Sequence, residues 1–288
     1  MKTHANQFSV QKMCEVLEVS VTGYYYWRRG IVGLRAHTRK TLVVHIKAIH
    51  RASKGRYGSP RICEELRDQG LKVSRPRVAR IMRQESIRSI VARRYTVQTT
   101  DSNHGFSVAP NLLEQDFNAP RPGMKWVSDL TYIRTGEGWL YLTMVMDLAD
   151  RKVIGWALSN TMRACDTSLP ALKMAISHRP IHDTLLFHSD RGVQYACHEF
   201  LNLVKGQPII QSMSRKGCCW DNAVAESFFK TLKVEMIYHN TYQTRKEAEL
   251  AIFEYIEVFY NRKRKHSYLG YKTPIQYEAM INQLNTAA

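Results

Sequence analysis

The chain has no run approaching the ~18 consecutive apolar residues of a membrane span. Its first residues, "MKTHANQFSVQKMCEVL", hold no apolar signal core. Both absences predict a protein that is neither secreted nor membrane-spanning. Its six cysteines (14, 63, 165, 197, 218 and 219) form no C-x-x-C pair and no framework spacing, and adjacent Cys218 and Cys219 are poorly placed to bond each other. That pattern excludes a disulfide scaffold and predicts reduced thiols, as in a cytoplasm. There is no internal repeat and no low-complexity tract, which excludes a solenoid and a disordered polar chain. Acid is the scarce charge: 25 Asp+Glu stand against 42 Lys+Arg, a formal net charge of +17.

What is present fits a folded globular protein of one large domain or two modest ones, with 44% hydrophobic residues and five tryptophans in 288. The basic excess is uneven. Residues 1–118 hold 21 Lys+Arg against 9 Asp+Glu, and the remaining 170 hold 21 against 16. Such an excess attracts polyanions, of which nucleic acid is the commonest.

Helical signals come first. "SVQKMCEVLEVSVTGYYYWRR" (9–29) predicts a short helix carrying Met13, Val16 and Leu17, then an aromatic helix capped by Ser20. A small helix-turn-helix and a plain helical hairpin both fit; "GYYYW" suits helix packing, with base stacking as the alternative. In "GSPRICEELRDQGLKVSRPRVARIMRQ" (58–84), Ser59 as cap, Pro60 at the first helical position and Gly70 as stop frame one helix. Ser74 and Pro76 start a second, with Val78, Ile81 and Met82 inward and Arg75, Arg77, Arg80 and Arg83 on other faces. Two short helices around a glycine turn suggest a helix-turn-helix; a solvated arginine face is the other reading.

Periodicity is lost over residues 85–120, and the pattern then changes to strands. "KWVSDLTYIRT", "GWLYLTMVMDLA" and "KVIGWALSN" predict an antiparallel meander. "DTSLPALKMAISHR" and "CHEFLNLVK" read as helices, "TLLFHSD" and "PIIQSMS" as strands. Helices and strands then alternate, so an α/β sheet covered on both sides is expected. A helix capped by Asp221 follows, with Val224, Ala225, Phe228, Phe229, Leu232 and Met236 inward, and Glu226, Lys230 and Lys233 on another side. A long helical segment (245–265) and a tail close the chain.

Three acids stand where acids are costly. Asp129 lies inside a strand between Trp126, Val127, Leu130, Tyr132 and Ile133, where a lone carboxylate needs a compensating cation. Asp190 follows "TLLFHS", in a turn or at a site. Glu226 sits beside Phe229. Carboxylates from two strand ends and a packed helix can converge, and such a cluster binds divalent cations. All-oxygen ligands favour Mg²⁺ or Mn²⁺ over zinc. Two such ions about 3.5–4 Å apart serve phosphodiester chemistry, with Lys230 and Lys233 directed at the phosphates. Other acids read as structural: Asp221 as a cap, Asp150 in a turn, Asp147 ending an apolar strand without a partner, Glu235 solvated. His178 and His182 form H-x-x-x-H with no cysteine pair following. No tyrosine-recombinase arrangement is present.

The spacing of Asp129, Asp190 and Glu226, with Lys233 seven residues after the glutamate, resembles the DDE transposase and retroviral-integrase superfamily. "WVSDLTYI", "HSDRGVQY", "SMSRKGCCWDNAVAESFFKTLK" and "YIEVFYNRKRKHSYLGYKTP" more closely resemble a bacterial insertion-sequence family encoded in two overlapping reading frames, of which this chain looks like the second-frame product. "YGSPRI" and "VSRPRVARIM" match that family's helix-turn-helix-like segment. The sequence departs from the family at Gly217-Cys218-Cys219, where Gly-Asn-Cys is common. It also departs at Arg191, where Gln is frequent, a change compatible with DNA contact. The histidine–cysteine zinc domain of retroviral integrases has no counterpart.

The resemblance implies a ribonuclease-H-like mixed sheet flanked by helices, preceded by a small all-α helix-turn-helix-like domain. It implies a Mg²⁺-dependent (Mn²⁺-tolerant) transposase that cuts and joins DNA, with Asp129, Asp190 and Glu226 catalytic and metal-binding. The expected layout is a helical segment 1–40, a DNA-binding domain 41–98, a linker 99–118 and a catalytic core with helical extension 119–284. Expected partners are the DNA of element ends and target, further copies of the chain, and a first-frame region supplied as a fusion; the expected place is the bacterial cytoplasm, at the nucleoid. The rival function is an inert DNA-binding regulator of the element.

Overall fold

The structure, a computed structural model, describes residues 1–30, 34–91 and 108–286. Residues 92–98 of the expected DNA-binding domain and 99–107 of the expected linker lie outside the described residues. The chain divides into two compact units, Met1–Ser89 and Ile90–Ala288.

The first unit is helical: α1 (Val10–Val16), α2 (Val21–Arg28), α3 (Leu34–Ala52), α4 (Ser59–Asp68) and α5 (Arg75–Gln84). Ser20 caps α2 as expected, its hydroxyl accepting the Gly23 N–H at 2.9 Å. The inward faces differ from expectation. Met13 and Cys14 are buried in α1, whereas Val16 and Leu17 are 71% and 56% exposed. In α2 only Tyr24 is buried, so the packing expected of "GYYYW" applies to Tyr24, and Tyr25, Tyr26 and Trp27 are exposed. Helices of about two turns present few positions to any one neighbour.

In α4, Ile62, Cys63 and Leu66 are buried, and in α5 Val78, Ile81 and Met82. Leu42, Ile46 and Ile49 of α3 complete that core. The expected Ser59 cap is corrected: Gly58 holds the cap position, Ser59 is already helical, and neither α4 nor α5 has a side-chain cap bond. A proline in each first turn, with its fixed φ and missing N–H, supports the start instead. Gly70, at φ +80°, ends α4 as expected; the Leu71 N–H then reaches the Leu66 carbonyl at 2.8 Å. Glu85, just past α5, pairs with Arg39 and Lys47 of α3 at 3.0 and 2.9 Å.

The second unit is built on β1 (Lys125–Thr135), β2 (Gly138–Asp147), β3 (Val153–Ser159), β4 (Leu185–Ser189) and β5 (Ile209–Met213), in the order β3-β2-β1-β4-β5. The first three strands form the expected antiparallel meander, and β4 and β5 add in parallel to β1. Its helices are α6 (Ser168–His178), α7 (Val193–Ala196), α8 (His198–Lys205), α9 (Ala223–Glu235), α10 (Arg245–Phe253) and α11 (Pro274–Thr286). This is the expected ribonuclease-H-like mixed sheet flanked by helices. Trp126, Phe187, Tyr195, Phe200, Leu172 and Ala175 are among the residues filling the core between the sheet and its helices. α6 lies so close to β3 that a Cβ on Gly155 would stand 2.2 Å from the Ala171 carbonyl oxygen.

The closing helical segment is α10 continued by a π-helical turn, Glu254–Tyr260. Just beyond it, the Asn261 amide donates to the Val153 carbonyl at 2.9 Å and accepts the Val153 N–H at 3.0 Å. A side chain thus satisfies backbone groups at the start of edge strand β3. Among the described residues no helix is long and apolar enough to cross a membrane, and the five cysteine side chains described are free.

Candidate active site

Strand register brings the first two acids together. Val127 of β1 pairs with His188 of β4 in parallel, so continuing by two residues sets Asp129 beside Asp190, just past the end of β4. The carboxyl ends of parallel strands are where open α/β sheets place their ligands. Asp129 accepts the Leu130 N–H at 2.8 Å, and Asp190 accepts the Gly192 N–H at 3.0 Å. Asp190 is therefore in a tight turn and at the site at once. α9 supplies Glu226 and packs against β1. Asn222, fully buried before its first turn, donates its amide to the Ser128 carbonyl at 3.0 Å.

The electrostatics report the convergence. Burial, then the charge of Asp190, with a further contribution from Glu226, pushes the Asp129 carboxyl well above the usual carboxylate range. The Leu130 N–H and Lys233 oppose that rise. Glu226 is raised by burial and by Asp190. Lys233 is lowered by burial and held up by Asp129, and its ammonium lies 5.5 Å from the centre of the Tyr132 ring. Below the acids, Ser128 shares a 2.8 Å hydrogen bond with Tyr195, whose phenol is raised by burial and by Asp190 and Asp129. Among the described residues, no three His, Cys, Asp or Glu side chains are grouped closely enough, as they stand, to hold a metal ion.

Asp129, Asp190, Glu226 and Lys233 are thus drawn to one place. Lys230 is exposed on α9. Arg191 is turned toward the chain, its Nε donating to the Ser214 carbonyl at 2.6 Å. Arg75, Arg77, Arg80 and Arg83 are exposed on α5. His178 hydrogen-bonds the Ile154 carbonyl at 2.9 Å.

Four acids read as structural have unexpected surroundings. Asp221 does not cap α9; Asn222 holds that position without a capping bond. Asp221 is fully buried and receives the Arg215 backbone N–H at 2.9 Å and its guanidinium at 2.8 and 3.0 Å. Asn111 and Gln115 donate to it as well, at 3.0 and 2.9 Å. These donors, Arg215 first, hold its carboxyl far below the ordinary range. Asp147 has a partner after all: Arg179 at 2.6 Å, with the Trp126 indole N–H at 2.9 Å. Asp150, also fully buried, takes Arg179 at 2.7 Å, and Glu278 joins the same guanidinium. Glu235 is buried, not solvated, bound by Arg264 at 2.9 Å and the Tyr255 hydroxyl at 2.9 Å. Arg215 lies only six residues from Asp221, but the arginine partners of Asp147, Asp150 and Glu235 are far off in sequence, so local pattern carries no signal of them. Asn222, Ser128 and Tyr195 escaped notice for the same reason.

Comparison with known proteins places these residues. An integrase core domain model matches residues 119–219, a second integrase core domain model matches 226–281, and an HTH-like domain model matches 37–95. The chain is 41% identical over 283 residues to transposase InsF for insertion sequence IS3A of Escherichia coli (strain K12), covering 96% of both proteins. It belongs to the IS3 family of transposases. The Insertion element IS600 uncharacterized 31 kDa protein of Shigella sonnei is 39% identical over 272 residues, covering 94% of the transposase and 99% of that relative. Among solved structures, the HTLV-2 integrase catalytic core domain in complex with magnesium is similar at a TM-score of 0.43 and 16% identity, over 56% of the transposase and 99% of that chain. Within the transposase, Asp129 and Asp190 fall in the first matched core segment, Glu226 opens the second, and the four arginines of α5 fall in the HTH-like match.

Proposed function

We propose that this transposase cuts and joins DNA strands at element ends through Asp129, Asp190 and Glu226, using divalent cations. The observation that carries the reading is the approach of three carboxylates, one inside β1, one just past the end of β4 and one on α9, with one half-buried lysine near them. The donor set fits a hard divalent ion: it is all oxygen, and its charge exceeds what Lys233 can balance. The side chains feel one another's charge without standing close enough to hold an ion, so binding one must draw them together. Mg²⁺ or Mn²⁺, two ions in the fullest form of this chemistry, would favour the attacking oxygen and steady the leaving oxygen of a phosphodiester.

The protein's own part is placement. Register fixes Asp129 against Asp190, Asn222 anchors the start of α9 to the strand beside Asp129, and Lys233 limits the repulsion between the acids until an ion arrives. Water is the attacking group in the cutting step and the freed 3′-hydroxyl in the joining step. Lys230, Arg191 and the exposed arginines Arg75, Arg77, Arg80 and Arg83 supply positive charge to the DNA backbone. The layout 1–40, 41–98, 99–118 and 119–284 remains our division of labour, with DNA contact before the linker and chemistry after it. The working form holds more than one copy, because two DNA ends must be joined at once, and acts in the bacterial cytoplasm at the nucleoid.

Strand joining by the full chain, measured with Mg²⁺, with Mn²⁺ and with chelator, tests the reading; joining that survives complete chelation contradicts it. An upstream-frame region, supplied as a fusion, adds end recognition and a second subunit. The isolated 288-residue chain then separates terminal-repeat from scrambled duplexes poorly at fixed salt, and the fusion separates them well. Discrimination of ~10³-fold or more by the isolated chain would show that its own helices suffice.

A further inference from the structure

The 3₁₀ turn Cys219–Asn222, which leads into α9, holds Trp220 70% exposed. The turn around it is fixed. Asp221 is buried and takes hydrogen bonds from Arg215, Asn111 and Gln115. Asn222 is buried and bonded to the Ser128 carbonyl, one residue before Asp129. An indole is therefore presented to solvent by a pinned turn, six residues before Glu226. Its exposed neighbours are Arg215, Lys216 and Gly217, and the single acid between Ser214 and Ala225 is Asp221, already neutralised.

A planar aromatic side chain among cations is the composition that stacks on unpaired bases. In intact duplex each base face is already covered by its neighbours, so such a side chain gains a partner only where the strand is frayed or a base is turned out. The same turn runs directly into the helix that carries Glu226, so under the proposed function that partner belongs to the DNA strand this helix engages. We propose that Trp220 stacks on an unpaired base next to the scissile phosphate, holding the opened strand against Asp129, Asp190 and Glu226. The proposal rests on the reading of those acids as the catalytic set.

The test uses the full chain and two forms of the element's terminal duplex, one blunt and one with a short single-stranded overhang containing 2-aminopurine. Emission reports stacking, anisotropy reports affinity, and a melting curve reports the fold. Wild type should quench the overhang probe and prefer it to the blunt duplex. Trp220→Ala should lose the quench and about 10-fold of that preference, with blunt-duplex affinity and melting temperature unchanged. Trp220→Phe should retain most of both. Equal quenching by Trp220→Ala overturns the proposal, and so does equal weakening on both duplexes, which would make the indole a backbone contact. A Trp220→Ala protein that keeps the quench but sediments as a smaller species also overturns it, assigning the indole to a second copy. Glu226→Gln, run in parallel, should quench like wild type and fail to cut. If it cuts, the acid reading fails, while the Trp220 result stands or falls in its own variant.

Discussion

Asp147, Asp150 and Glu278 meet around Arg179, with Lys152 on Glu278 at 2.7 Å; Asp129, Asp190 and Glu226 act on one another's charge, with Lys233 opposing the rise at Asp129. Both groups combine aspartates of the sheet and its turns with a helical glutamate. The first carries its own neutralising charge, and its cation is held so firmly that the Arg179 guanidinium is pushed above its ordinary range by Asp150 and Asp147 against the effect of burial. The second draws on Lys233, and burial lowers that lysine's own hold on its proton. A self-completed acid cluster is architecture. Under the proposed function, the second cluster takes further positive charge from a divalent ion.

The largest contrast is between activity and stability. Asp129→Asn or Asp190→Asn should lower strand joining by more than about 100-fold, since even outer-shell partners of a metal site are worth 10–100-fold. The metal-free fold should melt at the same temperature or higher, because a repulsive buried charge has gone. Arg179→Met should do the reverse. It leaves buried carboxylates without their cation and should cost roughly 3–5 kcal/mol in denaturant unfolding. The pH dependence sharpens this. Asp150 is raised to about 6, by burial first and by Asp147 against the pull of Arg179. A folded value above the unfolded one means its ionised form subtracts stability at higher pH. The Arg179→Met deficit should therefore be greatest near pH 8 and shrink as pH falls through about 6.

Asp221→Ala should cost less, about 2 kcal/mol, by stranding the donors of Arg215, Asn111 and Gln115. Its folded value lies below the unfolded one, so its contribution is present above the ordinary carboxylate pKa of about 4. The deficit should hold from pH 8 to 5 and fade only in stronger acid, a window distinct from that of Arg179→Met. The smallest effect belongs to the other unit. Neutralising Arg77 and Arg80 should flatten the slope of log affinity against log salt by up to about 2. An unchanged slope marks a solvated face.

The strands, their order of appearance and the two-helix turn at Gly70 were legible because period, turn residues and proline starts are local signals. The three acids stood out for different reasons, Asp129 by its apolar strand neighbours, Asp190 by following a buried strand and Glu226 by its place beside Phe229, and their shared role is the proposal above. Asp147 and Glu235 were misread for the complementary reason, and the turn correctly expected at Asp150 gave no sign of its ion pair. Glu235 and Arg264 lie 29 residues apart, as do Asp150 and Arg179, and no periodicity announces such a pairing. Asp221 shows local chemistry overruled: an aspartate just before a helix is a good cap, but the largely exposed Arg215 guanidinium and two amides outcompete one orphan N–H. The exposure of Tyr25, Tyr26 and Trp27 was hidden because an aromatic run reads the same whether it packs inward or faces solvent.

The most direct measurement compares Glu226→Gln with wild type for strand joining in Mn²⁺, with duplex affinity and melting temperature measured on the same preparations. Glutamine keeps the size and the helix while removing the charge. A loss of joining beyond about 100-fold, at unchanged affinity and unchanged or raised melting temperature, is the predicted result. Joining within about twofold of wild type would contradict the assignment of the three acids and return the site to the class of the Arg179 cluster.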